Sequence, residues 1–158
     1  MRSPLPRVSA VVITYQLERY LERSIDSVLA QDYPAELLEV IVVDDGSTDS
    51  TPDIVASYGE RVRYIRKDNG GLNSSVNRGF AEASGELLAL QDGDDEWTEG
   101  RLRRQVEVLQ ARPEVALVHG DMQVIDDEQR VVHGSYWAQE GITPQRGRAL
   151  GVMPSCAQ

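Results

Sequence analysis

The sequence predicts an α/β fold, a mostly parallel sheet flanked by helices. Apolar runs of four to six residues alternate with longer amphipathic stretches, which is the pattern of βα units feeding a parallel sheet. The 158 residues, 41% hydrophobic and 27% charged, have the composition of an ordinary globular chain, not of a disordered or fibrous one. That length predicts one domain that buries about two thirds of its unfolded surface, so neither a disulfide nor a structural metal is needed. Cys156 is the single cysteine, so no intrachain disulfide can form.

Strands are expected over about 8–14, 39–44, 61–66, 86–91 and 115–121. Between the first two, a helix over 18–31 is predicted by Tyr20, Leu21, Ile25, Val28 and Leu29 at helical spacing, with Pro34 after its end. A second helix starts near Thr51 as cap, with Pro52 at the first helical position, where its missing N–H costs nothing. Its Ile54, Val55 and Tyr58 are expected to pack on the sheet. The third, over 74–83, stops before Gly85; the fourth, over 99–112, carries Leu102, Val106 and Leu109 on one face and stops before Pro113. Val124, Ile125, Val131 and Val132 around the polar Asp126 to Arg130 predict a hairpin. Gly141 to Arg148 is rich in glycine, arginine and turn formers, and Leu150 to Gln158 is apolar without a finishing element, so the expectation is the front part of a longer protein.

Charge narrows the ligand. With 26 acidic against 16 basic residues, the net charge is −10. Affinity for nucleic-acid backbones comes from clustered Lys and Arg, so nucleic acid is disfavoured, and an anionic ligand would need a counter-cation. Apolar runs such as Ala10–Ile13 and Leu87–Leu90 fall far short of the roughly 20 residues that span a bilayer. The N-terminus lacks the apolar core of a signal peptide, which places the chain in the cytoplasm, peripheral to a membrane at most.

In an open parallel sheet, ligands bind outside the carboxyl ends of the strands. Three predicted ends point to one crevice: Ile13-Thr14-Tyr15, Val42 to Ser47 and Leu90 to Asp95. Five carboxylates at two adjacent ends, Asp44, Asp45, Asp92, Asp94 and Asp95, would repel one another, and a bound cation commonly stabilises such a site. Mg²⁺ or Mn²⁺ is often held by one or two carboxylates plus substrate phosphates, which would let an acidic cleft accept an anionic diphosphate. The plainer readings are an acidic turn capping the helix near Thr98 and an Asx turn at Asp44 to Ser47. The two blocks together favour a ligand site.

The blocks VSAVVITYQ (8–16), SIDSVLAQDYP (24–34), EVIVVDDGSTDST (39–51), DNGGLNSSVNRGFAEASGELLALQDGDDEW (68–97) and ALVHGD (116–121) resemble, in order and spacing, the inverting nucleotide-sugar glycosyltransferases of family 2, whose fold is called GT-A. The resemblance runs from about Val8 to Val132. It implies a GT-A nucleotide-sugar-binding domain over 1–158 that transfers sugar from a nucleotide-diphosphate donor to a carbohydrate or lipid-linked acceptor hydroxyl, with Mn²⁺ or Mg²⁺ as cofactor. Carried over by position, Thr14 and Tyr15 pack on the nucleotide base, Asp45 accepts a hydrogen bond from it, and Asp92 to Asp95 is the DxD-type block. There Asp92 and Asp94 meet the nucleotide, and Asp94 or Asp95 the metal. A carboxylate only accepts hydrogen bonds, so Asp45 suits uracil, thymine or guanine; the family habit favours uridine diphosphate.

Two departures stand out. Ile13-Thr14-Tyr15-Gln16 replaces the usual Pro-Thr-Tyr-Asn, and Val76 stands where an arginine often precedes Asn77. Asn73 and Asn77 either supply substitute hydrogen bonds to the nucleotide or are turn and cap residues. The catalytic base is expected beyond Gln158; Glu140 and Asp121 are the late acids available, and Asp121 suits the acceptor side better. His119 and His133 read as structural, because a hard cation takes oxygen. Trp97 and Trp137 could stack on sugar, and Trp97 could equally pack beneath the acidic block. The first strand has no Gly-rich turn after it, against a dinucleotide oxidoreductase, and no Gly-rich basic loop for a nucleotidyltransferase is present. The alternative is a non-catalytic nucleotide-binding or scaffolding module of the same fold.

Overall fold

Val8–Thr14 forms β1, Leu38–Asp44 β2, Arg63–Arg66 β3 and Leu87–Asp92 β4. In the computed structural model, which describes residues 4–140, they build one parallel sheet in the order β3-β2-β1-β4. Every residue of β1 is buried. That is why its sequence is apolar without alternation: helices cover both faces of a parallel sheet. On one face Val8, Ala10, Val12, Val40 and Val42 meet α1 (Leu21–Leu29), α2 (Thr51–Ala56) and α4 (Arg101–Ala111) through Leu21, Ile25, Val28, Val55, Leu102 and Val106. On the other, Val11, Ile13, Ile41, Val43 and Ile65 meet Val76 and Phe80 of α3 (Leu72–Glu82).

The departures from expectation have local causes. α1 begins at Leu21 instead of 18, because Glu18 is drawn to the next loop: its N–H donates to Asp49 Oδ2 at 2.9 Å, and its carboxylate accepts from Ser50 N at 2.8 Å. Thr51 is the first residue of α2, not its cap; the residue before it is Ser50, and Asp49 Oδ1 accepts the Thr51 N–H at 3.1 Å. The strand expected over 115–121 does not form. Val115 to Asp121 joins no strand ladder among the described residues and is largely exposed, and a run without a ladder partner leaves most of its backbone groups to water.

The residues form two compact units divided after Gln110. The second contains the expected hairpin, Val124–Ile125 antiparallel to Val131–His133, as β5 and β6. Asp126 closes its turn, accepting from Arg130 N at 2.9 Å and Arg130 Nε at 2.8 Å. A short helix, α5 (Tyr136–Gln139), follows; Ser135 caps it, its Oγ accepting from Ala138 N at 3.0 Å.

α3 approaches the sheet closely at Gly79. A Cβ there would lie 2.3 Å from Val11 Cγ1 and 3.1 Å from Val43 Cγ2. Gly79→Ala is therefore expected to destabilise the protein by about 2 kcal/mol, seen as a lower denaturant midpoint at unchanged slope. A neutral or stabilising effect would contradict this packing.

Candidate functional site

The order β3-β2-β1-β4 places β2 and β4 on opposite sides of β1. The chain therefore reverses direction across the sheet between β1 and β4, and a crevice opens beyond the strand ends at such a switch point. A cleft of about 440 Å³ lies there, lined by Thr14, Tyr15, Asp45, Asn69, Asp92 and Asp94 among others. Two sequence expectations need correction. The acidic strand ends are not adjacent, since β1 separates them. Nor do five carboxylates converge: Asp44 is fully buried, its Oδ1 accepting from Ser47 N at 2.7 Å and its Oδ2 from Tyr64 Oη at 2.5 Å. Asp44 thus makes the Asx turn, while its neighbour Asp45 alone reaches the cleft.

The β1 end supplies two contrasting side chains. Thr14 is 1% exposed, and its buried Oγ1 has no hydrogen-bond partner among the described residues. Tyr15 is 49% exposed and also lines the cleft. Gln16 adopts a positive φ of 56°. It is held there by Ser47 Oγ, which accepts its N–H at 3.0 Å, and by a two-way amide pair with Thr48 at 2.9 and 3.2 Å. The Gln16 side chain thus ties the loop after β1 to the loop after β2.

Asp45 is 3% exposed and accepts from Lys67 Nζ at 2.5 Å, Gly70 N at 3.0 Å and Gly71 N at 2.7 Å. Burial alone would raise its carboxyl. Hydrogen bonds from Lys67, Gly70 and Gly71 outweigh burial and hold it below the usual carboxylate range. A base N–H could reach Asp45 only by sharing or displacing one of these donors. Sequence reasoning missed Lys67 and the Gly70-Gly71 pair. A signal existed: Lys67 is the chain's single lysine, standing between β3 and a Gly-Gly pair.

The acidic block behaves in the opposite way. Gly93 N donates to Ile13 O at 2.8 Å, and a Cβ at Gly93 would sit 2.8 Å from that same oxygen, so only glycine lets the block lie on the end of β1. The Asp92 carboxyl is pushed up by partial burial and by the charge of Asp94. That of Asp95 is pushed up by burial, then by Asp94 and Asp92, against a smaller pull from Arg101. Among the described residues no hydrogen bond lowers either carboxyl. Carboxylate oxygens whose mutual charge disfavours ionisation are the kind of ligand a hard divalent cation takes. No three acidic, His or Cys side chains among the described residues form a complete metal cage, so diphosphate oxygens would have to finish the shell.

Asp95 follows the cleft's lining residues in sequence without being one of them, and Asn77, exposed on α3, is not one of them either. Trp97 belongs to the core shared by α1 and α4, 6% exposed, with the Arg101 guanidinium 4.5 Å from its ring centre. In the second unit, Asp121 accepts from Met122 N at 2.8 Å, Trp137 N at 3.0 Å and Ser135 Oγ at 2.5 Å. His119 meets Trp137 edge-on at 5.3 Å.

The family described as Glycosyl transferase family 2 matches residues 9–154. An uncharacterized glycosyltransferase of Nostoc is 36% identical over 130 residues, covering 80% of this chain and 39% of that protein. One of Rickettsia felis is 34% identical over 126 residues, covering 78% and 21% respectively. Among solved structures, a mannosyltransferase from Pyrobaculum calidifontis in complex with GDP-Man and Mn²⁺ is similar with a TM-score of 0.65 at 33% identity, covering 70% of this chain and 34% of the other. Staphylococcus aureus TarS in complex with UDP-GlcNAc gives 0.64 at 31%, covering 68% and 32%. The chain thus spans about a third of the length of these structures.

Proposed function

The chain belongs to glycosyl transferase family 2, and on that premise we propose that residues 1–158 act as one donor-binding domain, binding a nucleotide-diphosphate sugar, most favourably a uridine diphosphate sugar, for inverting transfer to a carbohydrate or lipid-linked acceptor hydroxyl. The observation that carries this reading is the cleft at the β1/β4 switch point, where Thr14, Tyr15, Asp45, Asp92 and Asp94 come together from three strand ends. Tyr15 stacks on the base, and Asp45 accepts its ring N–H. Asp92 meets the ribose. Asp94 and Asp95 would hold Mg²⁺ or Mn²⁺, which when bound stabilises the charge developing on the leaving diphosphate as a Lewis acid. Inversion requires the acceptor hydroxyl to lose its proton to a base on the opposite face; this reading does not give that role to Asp121, whose carboxylate accepts from Ser135 Oγ, Trp137 N and Met122 N. No helix among the described residues is long and apolar enough to cross a membrane; the setting we propose is cytoplasmic, peripheral to the membrane when the acceptor is lipid-linked.

Calorimetric titration with uridine and guanosine diphosphates, each with and without Mn²⁺, tests the reading. Binding is expected with Mn²⁺ only and tighter for uridine diphosphate. Equal affinity with and without the ion would refute the metal assignment. A folded chain that binds neither nucleotide would favour the non-catalytic module.

A further inference from the structure

The backbone between β4 and α4 runs without a ladder, yet five polar backbone groups from Asp92 to Leu102 end on side chains from the inner face. Gln91, 4% exposed, faces away from the cleft. Its amide donates to Ser24 Oγ at 3.2 Å and to the Asp95 carbonyl at 2.5 Å. Ser24 Oγ donates in turn to the Asp92 carbonyl at 3.1 Å. Three residues on, Ser27 Oγ accepts from Trp97 N at 2.9 Å. Gln31, just past the end of α1, donates to Thr98 O at 3.1 Å and accepts from Leu102 N at 3.0 Å. The turn itself is closed by Asp95 N donating to Asp92 O at 3.1 Å.

We infer that Ser24 and Gln91 are positioning residues for the donor's cation: they clamp the carbonyls at both ends of the Asp92–Asp95 turn from inside, and so set the spacing of its carboxylates on the outside. This rests on the reading of that turn as the cation site. The physical need is plain. Three carboxylates within four residues repel one another, and a turn held only at its ends by covalent bonds would open until a cation arrived. A seam of buried hydrogen bonds resists that spreading, because breaking it strands polar groups away from water. The ion and diphosphate then meet a preformed site and do not bear the cost of ordering it.

The test uses Gln91→Met and Ser24→Ala, with Tyr33→Phe for comparison. That change removes a buried hydroxyl bonded to Pro6 O at the other end of the sheet. Amide hydrogen exchange over 93–98, without ligand, is expected to accelerate about tenfold in Gln91→Met and Ser24→Ala and to stay unchanged in Tyr33→Phe. Affinity for uridine diphosphate with Mn²⁺ is expected to fall about ten- to a hundredfold in the first two, the range for residues that orient metal ligands, and to hold in the third. Unmoved exchange in both variants, or equal acceleration in Tyr33→Phe, overturns the inference. Should Gln91→Met fail to fold, Ser24→Ala decides alone. Exchange accelerated as expected in a chain whose wild type shows no Mn²⁺-dependent binding would keep the clamp and refute the donor reading instead.

Discussion

Asp94→Asn is expected to abolish Mn²⁺-dependent nucleotide binding while leaving the fold as stable as before, or slightly more so. Asp94 lines the cleft and is the charge that raises both the Asp92 and the Asp95 carboxyls beyond what burial does. Neutralising it removes one ligand oxygen's charge from the proposed cation site, and an ion held by few carboxylates loses affinity of about a hundredfold or more with one of them. The same substitution relieves repulsion in the empty turn. Its melting temperature should therefore hold or rise, whereas a structural aspartate would lower it. Calorimetry with uridine diphosphate and Mn²⁺, alongside thermal unfolding, reads both; unchanged affinity removes Asp94 from the site. Wild-type affinity should also weaken on acidification from pH values above about 4, the ordinary aspartate range, because Asp92 and Asp95 take up protons earlier than an unperturbed carboxylate and the ion must displace them.

Asp45→Asn should act in the reverse sense, on stability first. The carboxylate holds three donors, one of them the ammonium of Lys67, whose side chain is 20% exposed. With an amide in its place, a mostly buried cation loses its counter-charge and an NH₂ group faces other donors. Breaking one side of such a pair costs about 3 kcal/mol. The sign with pH follows from the lowered carboxyl. Its stabilisation is fully present above the unfolded aspartate value near 4 and is lost as pH falls through the lower folded value. The gap between wild type and variant, measured by denaturant unfolding, should therefore be full at pH 7 and close below about pH 4. A gap independent of pH would show that the ion pair is not its source.

The contrast between these two aspartates separates local pattern from long-range contact. The continuous apolar runs of β1 and β2, the helical spacing of Leu21, Ile25 and Val28, and the Asp-rich block after β4 are local patterns. They specified a parallel sheet with acidic strand ends because periodicity and burial are properties of neighbouring residues. Which residues meet across the chain is not such a property. Strand order came from pairing between distant segments, and it put β1 between β2 and β4. The pleat sent Asp44 into the sheet and Asp45 to the cleft, although the two are adjacent and chemically identical. Val115 to Asp121 has a strand's composition and pairs with no strand among the described residues. Lys67 reaches Asp45 across 22 residues, and Ser24 reaches Asp92 across 68. In one dimension a serine on α1 reads as an ordinary polar position; its role appears only when folding carries the acidic turn over it, because a hydrogen bond is decided by distance and direction, which the tertiary structure alone supplies.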